Sequence, residues 1–140
     1  MPVLQKGVAA LANRMPKVIS PKAHAIIDYA TIGTWFTLGA WMWGRNKRAA
    51  ISALVCGGAE LATTLMTDFP GGVTDTISFP THGKIDMGLA ATASALPNFM
   101  AFDDEDEAKW FRIMGLNITA VGAMTDFSRG RSRTRRRRAA

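Results

Sequence analysis

The sequence predicts an all-α protein: a four-transmembrane-helix bundle made of two tandem helical hairpins that are related by pseudo-two-fold symmetry. Three observations predict this fold. The chain of 140 residues repeats two short motifs at one constant offset, it contains four long apolar segments, and a polar break or a turn separates each segment from the next. The segments also lack the alternation of apolar and polar residues that is typical of strands.

The internal repeat relates the two halves of the chain without a gap. A His-x-x-x-Asp motif at His24 and Asp28 recurs at His82 and Asp86, and Met66-Thr67-Asp68-Phe69 recurs letter for letter 58 residues later. The same offset joins two further pairs, Ser20 with Ser78 and Gly57 with Gly115. A constant offset shared by separate motifs indicates a duplication. The repeats run from about 20 to 72 and from about 78 to 130.

Each repeat holds two predicted helices. They cover roughly 22–44 and 47–68 in the first repeat, and roughly 80–101 and 106–127 in the second. Pro21 and Pro80 suit helix starts, where a missing N–H costs nothing. Pro70-Gly71-Gly72 indicates a turn between the repeats. Pro97 falls inside the third helix, where proline predicts a kink.

The apolar character of these segments favours a membrane over water. Each is close to the ~20 residues that cross a hydrocarbon core, and the stretch 29–44 lacks the charged face that a bundle helix in water needs. Aromatic residues collect at the segment ends, as in membrane interfaces: Trp41, Trp43, Phe99, Phe102, Trp110 and Phe111 at one level, and Phe69, Phe79 and Phe127 at the other. The uncharged runs are shorter than the segments, so a soluble four-helix bundle is the alternative.

Basic residues set the predicted orientation. Four crossings place both termini on one side, together with the basic N-terminal segment and the Arg-rich tail. The positive-inside rule therefore predicts the cell inner (cytoplasmic) membrane, with both termini in the cytoplasm. The chain then divides into a basic N-terminal segment at 1–19, a single four-helix membrane domain at 20–127 and an Arg-rich flexible tail at 128–140.

The tail accounts for the basic balance of the chain, because its seven arginines exceed the net charge of +6. A polybasic segment directly after a membrane helix indicates binding to anionic lipid of the bilayer, at about 1 kcal/mol per basic residue near the surface. A soluble basic helical nucleic-acid-binding protein is the alternative, although phosphate contacts alone carry no sequence information. Other copies of the same chain are further candidate partners, in a homo-oligomer.

The predicted topology brings six ionisable residues to the cytoplasmic end of the bundle. These candidates for a metal site are His24, Asp28, Asp68, His82, Asp86 and Asp126. Residues four apart share a helix face, so each histidine lies beside an aspartate. Imidazole with carboxylate suits Zn²⁺ or another divalent metal, or a proton site. Most polar groups in bundles tie helices together, however, so a structural role for these residues is favoured.

Two further polar residues, Glu60 and Lys84, are predicted to be buried. Glu60 lies about 12 Å deeper than Asp68 along its helix and has no acidic counterpart in the second repeat. Lys84 is a candidate partner for Glu60 or for Asp28. The single cysteine, Cys56, excludes an internal disulfide and a cysteine metal cluster. The chain carries no nucleophile motif and no phosphate-binding loop, so neither an enzyme nor a cofactor is predicted.

The repeated motifs resemble those of the SPW-repeat family of small bacterial and archaeal integral membrane proteins. The motifs that open and close the family's hairpin are matched by His24 with Asp28-Tyr29, by His82 with Asp86, and by Met66-Thr67-Asp68-Phe69 with Gly71. The name-giving motif has diverged, since Leu96-Pro97-Asn98 stands before Phe102 and Gly39-Ala40-Trp41 keeps only the tryptophan.

The resemblance covers about residues 20 to 127 and implies two-helix membrane repeats. It implies no activity. The predicted function is therefore a structural or interaction module of the membrane, with cation, metal or proton binding by the His/Asp cluster as the alternative.

Overall fold

Four helices form most of the structure, a computed structural model that describes residues 6, 7, 10 and 13–130. The helices are α1 (Pro21–Met42), α2 (Lys47–Leu65), α3 (Phe79–Phe99) and α4 (Ala108–Met124), followed by a short 3-10 turn at Phe127–Gly130. Within the described residues there is no strand, only two isolated bridges. The predicted all-α, four-helix architecture is confirmed. The predicted lipid contact of the tail falls mainly on 131–140, outside the described residues.

Polar side chains fix the first turns of three helices. Ser20 and Ser78, which are repeat equivalents, accept hydrogen bonds from the backbone N–H groups three residues later, at 3.2 and 3.3 Å. Asn46 caps α2 in the same way at 3.1 Å. Each of these bonds satisfies a backbone donor that has no partner within its helix. The caps therefore set the register of α1 and α3, on which the two His-x-x-x-Asp motifs lie.

The helices pack as two hairpins, α1 against α2 and α3 against α4. The repeated glycines mark the close contacts in both. A Cβ added to Gly57 would lie 2.9 Å from the Cβ of Trp35, and one added to Gly115 would lie 2.8 Å from the carbonyl oxygen of Ala90. Trp35 and Phe111 meet in the centre with their ring centroids 5.3 Å apart. The apolar core thus fills the middle of the bundle and the end that holds the α1–α2 and α3–α4 loops.

At the other end, the two repeats are joined by a reciprocal exchange of backbone hydrogen bonds. Ile77 pairs with Thr67, and Ile19 pairs with Thr125. The N–H of Asp68 donates to the Ile77 carbonyl at 2.8 Å, and the N–H of Asp126 donates to the Ile19 carbonyl at 3.1 Å. The end of each repeat is therefore tied to the start of the other. The exchange holds Thr67 beside the start of α3 and Thr125 beside the start of α1.

The four crossings predicted from the sequence find no support in the described helices, none of which is long and apolar enough to cross a membrane. Charged residues near the helix ends lower the mean hydropathy, as Lys47 and Arg48 do in α2.

The aromatic belt predicted for the end that carries the motifs is wrong for two of its members. Phe69 and Phe79 are 6% and 1% exposed and pack against the histidines. At the opposite end Trp41, Trp43 and Phe99 are exposed, whereas Phe102 and Phe111 are buried in the core. Aromatic residues near helix ends can face inward as readily as outward, and the sequence does not distinguish the two.

Candidate metal centre

Two histidines and two aspartates form a buried cluster between α1 and α3. His24 and Asp28 lie one turn apart on α1, and His82 and Asp86 occupy the equivalent positions on α3. Both histidines are fully buried, and both aspartates are 5% exposed. The helical spacing of four places each pair on one face. The packing of the hairpins then turns the two faces toward each other.

The donor atoms of these four residues converge on one point. The two Nε2 atoms are 3.3 Å apart. Asp28 lies 3.3 Å from both Nε2 atoms, through a different carboxylate oxygen for each. Asp86 reaches His24 and His82 with the same oxygen, at 3.3 and 3.1 Å. One ligand atom from each residue lies within 4.8 Å of the other three. Such convergence of imidazole and carboxylate donors is what a transition-metal site requires.

Each imidazole is oriented by a threonine from the other repeat. The Nδ1 atom of His24 lies 2.8 Å from the hydroxyl of Thr125, and the Nδ1 atom of His82 lies 2.8 Å from the hydroxyl of Thr67. These threonines belong to the repeated Met-Thr-Asp-Phe motif. The repetition of the motif is the signal for them in the sequence, but it does not indicate which residues the threonines contact. The structure shows that they contact the histidines.

A layer of phenylalanine rings closes the cluster at its outer end. The ring of Phe79 lies 5.3 Å from that of His24, and the ring of Phe69 lies 5.2 Å from that of His82, measured between centroids. Phe127 approaches His24 at 5.6 Å. This layer shields the cluster from water, which strengthens electrostatic interactions among its charges.

Burial and mutual charge act in opposite directions on these groups. Burial alone would lower the pKa of His82, but hydrogen bonds and charges from Asp28 and Asp86 raise that pKa to about 9. Burial raises the pKa of Asp28, although both imidazoles oppose it. Burial by itself would also raise the pKa of Asp86, but hydrogen bonds with both histidines outweigh this effect and lower that pKa. The two aspartates therefore favour a positive charge on the imidazole of His82.

Two predicted candidates do not join the cluster. Asp68 and Asp126 lie in the segments after α2 and α4, where their backbone N–H groups make the inter-repeat bonds. The carboxylate of Asp126 pairs with Arg129 at 3.0 Å. Neither aspartate is among the ligand atoms that converge. The helices end at Leu65 and Met124, so these carboxylates are not carried on the inward helix faces.

Glu60 is buried as predicted, but its partner is not Lys84. Glu60 is 3% exposed and accepts a hydrogen bond from the indole N–H of Trp35 at 3.1 Å. Lys84 is exposed on α3, so its predicted burial is wrong. Lys84 lies between His82 and Asp86 in the sequence. Its side chain is on the outer face of α3, because His82 and Asp86 occupy the inner face.

A small cavity separates Glu60 from the cluster. Its volume of about 10 Å³ holds roughly one water molecule. Three carboxylates line it, those of Asp28, Asp86 and Glu60, and no basic residue does. Burial and the charges of the two aspartates raise the pKa of Glu60 to about 8. Sequence reasoning missed Trp35, whose role depends on the packing of α1 against α2.

Comparison of the chain with protein-family models, with curated proteins and with solved structures gave no match.

Proposed function

We propose that the protein binds one divalent metal ion at His24, Asp28, His82 and Asp86. The observation that carries this proposal is the convergence of one donor atom from each of these residues to within 4.8 Å. Buried carboxylates beside buried imidazoles are costly without a compensating charge, and a metal ion supplies it at the centre of the set. Each hairpin contributes half of the ligands.

The ligand number supports a structural role for the ion. Structural zinc sites use four protein ligands, whereas catalytic sites leave one position open to water or substrate. Here α1 and α3 each bring one histidine and one aspartate. A bound ion would tie the two hairpins together at the end where the backbone exchange already joins them.

The test is metal binding by the purified full-length chain. The protein is stripped with a chelator, dialysed, and titrated with Zn²⁺, with metal content measured by elemental analysis. We expect one ion per chain in the wild type and none in a His24→Ala, His82→Ala variant. The matched control is Asp68→Asn, Asp126→Asn, which changes two carboxylates from the repeated motif that lie outside the cluster.

Equal zinc content in the wild type and in the double-histidine variant would overturn the proposal. So would a wild type that takes up no metal after stripping. Loss of zinc from the control variant alone would also contradict it, because the ligand set would then be a different one.

We propose, as a second function, that the outer surface of the bundle lies against membrane lipid. The supporting observation is the absence of charge from the exposed middle of the described helices. The middle parts of the four helices contain three charged residues, Asp28, Glu60 and Asp86, and all three are buried. These parts are residues 23–42, 49–65, 85–99 and 113–124. Large apolar side chains are exposed there instead, among them Ile26, Phe36, Val55, Ile113 and Leu116. Contiguous exposed apolar surface marks a contact with lipid or with another protein.

Carbonate washing of membranes from expressing cells tests this second proposal. We expect the protein to stay with the membrane fraction at high pH, because apolar contact with lipid resists conditions that release electrostatically bound proteins. Release of the protein into the supernatant would contradict it. The metal-binding proposal would be unaffected by that result.

A further inference from the structure

The proposed metal centre has a second layer that determines the chemistry of its histidines. Each of the two threonine hydroxyls has two close neighbours. The hydroxyl oxygen of Thr67 lies 2.6 Å from the carbonyl oxygen of Thr63 and 2.8 Å from Nδ1 of His82. The hydroxyl oxygen of Thr125 lies 2.6 Å from the carbonyl oxygen of Val121 and 2.8 Å from Nδ1 of His24. The same arrangement thus occurs twice, once in each repeat.

The position of the hydroxyl hydrogen follows from these distances. A carbonyl oxygen only accepts, so two oxygens 2.6 Å apart require the hydroxyl hydrogen between them. The hydroxyl has one hydrogen, and it is therefore used on the helix carbonyl. The 2.8 Å contact with the imidazole then requires a hydrogen on Nδ1. The hydroxyl of each threonine accepts from Nδ1 and donates to the backbone.

Protonation of Nδ1 leaves Nε2 as the metal-binding nitrogen of the neutral ring. Both Nε2 atoms face the centre of the cluster, where they lie 3.3 Å apart. A regular tetrahedron with metal–ligand bonds of about 2.0 Å has ligand separations of about 3.3 Å. The imidazole–imidazole and imidazole–carboxylate separations here are 3.1 to 3.3 Å. The two Nε2 atoms and one oxygen of Asp86 are thus already spaced as three ligands of a small tetrahedral ion, and a carboxylate oxygen of Asp28 lies within 4.8 Å of them as the fourth.

We infer that Thr67 and Thr125 are positioning residues that make this centre selective for a borderline tetrahedral transition-metal ion of the Zn²⁺ and Co²⁺ class. The inference rests on the proposed metal binding. Ca²⁺ prefers six to eight oxygen ligands and Mg²⁺ an octahedron of oxygens. Two fixed imidazole nitrogens serve neither. Hydrogen-bond partners of ligating histidines hold the ring orientation and raise the basicity of the ligand.

The threonines also make the centre depend on both repeats. Thr67 belongs to the first repeat and orients His82 of the second, while Thr125 of the second repeat orients His24 of the first. The two backbone bridges place these threonines. A complete ligand set with oriented imidazoles therefore exists only when the repeats are packed together.

The test compares four double variants of the full-length chain. Thr67→Val, Thr125→Val removes both hydroxyls with little change of shape, and Thr67→Ser, Thr125→Ser keeps them. The matched control is Thr63→Val, Thr119→Val. Thr63 and Thr119 also donate to helix carbonyls four residues earlier, at 2.9 and 2.8 Å, but neither is among the hydrogen-bond partners of the histidines described above. The fourth variant is His24→Ala, His82→Ala, which tests the ligands themselves.

Zinc affinity and the visible absorption of the Co²⁺ form are the readouts. Loss of an outer partner typically weakens metal affinity about 10- to 100-fold, so we expect a loss at least that large for the valine variant. The intense tetrahedral Co²⁺ bands should weaken with it. The serine variant and the Thr63/Thr119 control should keep the wild-type affinity and spectrum, and Ca²⁺ and Mg²⁺ should not displace Zn²⁺ from the wild type.

Wild-type zinc affinity in the valine variant would overturn the inference and leave the proposed metal site standing. A wild type that binds no zinc would instead overturn the proposed function. If the valine variant fails to fold, ¹⁵N spectra of the wild-type imidazoles give the answer. Protonated Nδ1 and metal-bound Nε2 in the zinc form support the inference, whereas metal bound to Nδ1 overturns it.

Discussion

At the scale of single residues, Glu60 is the clearest departure from the symmetry of the repeats. Its equivalent in the second repeat is Ile118, and the equivalent of its partner Trp35 is Ala93. Only the first repeat therefore contributes a carboxylate from this position to the small cavity beside the cluster. Burial, followed by the charges of Asp28 and Asp86, raises the pKa of Glu60 to about 8 from a value of 4.5. The folded protein thus favours the neutral form of this side chain.

Replacing Glu60 with glutamine should make the stability of the metal-free protein less sensitive to pH. In the wild type, the unfolded chain ionises Glu60 near pH 4.5 and the folded chain ionises it near pH 8. Its contribution to stability is therefore present below pH 4.5 and is lost as the pH rises toward 8. Glutamine cannot ionise, and its carbonyl oxygen can still accept the Trp35 hydrogen bond. Urea unfolding between pH 5 and 8, with chelator present, measures the difference.

The expected result is a smaller decline in the free energy of unfolding for the glutamine variant than for the wild type. The difference between the two curves reports the ionisation of Glu60 together with its coupling to the charges of Asp28, Asp86 and His82. Parallel curves would show that Glu60 ionises at its ordinary pH in the folded protein.

At the scale of helices, Gly115 controls how closely α3 and α4 approach. Gly115 lies on α4 against α3, where an added Cβ would be 2.1 Å from the hydroxyl of Ser94 and 2.8 Å from a backbone carbonyl of Ala90. Gly88 lies on the exposed face of α3 with no atom within 4 Å of the added Cβ. The same residue type thus serves a close contact in one helix and no contact in the other.

Alanine substitutions at these two glycines should have opposite effects on stability. Gly115→Ala should destabilise the fold by about 1–3 kcal/mol, because the backbone of Ala90 cannot move without shifting α3. Gly88→Ala should stabilise it by up to about 1 kcal/mol, because alanine favours the helix and meets nothing. Chemical denaturation of both variants checks the pair. Equal effects of the two substitutions would contradict the close approach of α3 and α4 at Gly115.

At the scale of the whole molecule, the cluster and the backbone exchange act at the same end of the bundle. The pairs Ile77–Thr67 and Ile19–Thr125 join the repeats through the main chain, and His24 with His82 joins them through side chains. The other end is joined by polar contacts between the loops, where Arg48 and Asn46 reach Glu105 at 3.2 and 2.6 Å. A metal ion at the cluster would therefore stabilise the packing of one hairpin on the other.

Zinc should raise the thermal stability of the wild-type protein in a pH-dependent manner. Free ion at 100 times its dissociation constant adds about 2.7 kcal/mol to the free energy of unfolding. The effect should weaken as the pH falls below about 9, because protons compete with zinc for His82, whose pKa in the metal-free protein is raised to about 9 by Asp28 and Asp86. Calorimetry with and without Zn²⁺ measures it. A comparable zinc-induced shift in His24→Ala, His82→Ala would mean that the ion stabilises the protein from another site.

The sequence by itself determined the four-helix architecture and the pairing of each histidine with the aspartate on its own helix. The constant offset required two equivalent hairpins, the lengths of the apolar segments required helices, and the spacing of four put each histidine beside its aspartate. These features are local, or they repeat along the chain, so they can be read without coordinates.

Only the tertiary structure decided which of the six candidates converge and what orients them. The contacts that select them join residues 58 and 101 positions apart, and no helical period connects such distances. Asp68 and Asp126 lie outside the site because their helices end before them. Lys84 is exposed because His82 and Asp86 occupy the inner face of α3. The repeated threonines were visible from the start, but their partners lie in the opposite repeat. Packing of the two hairpins therefore turned a duplicated motif into one four-residue centre.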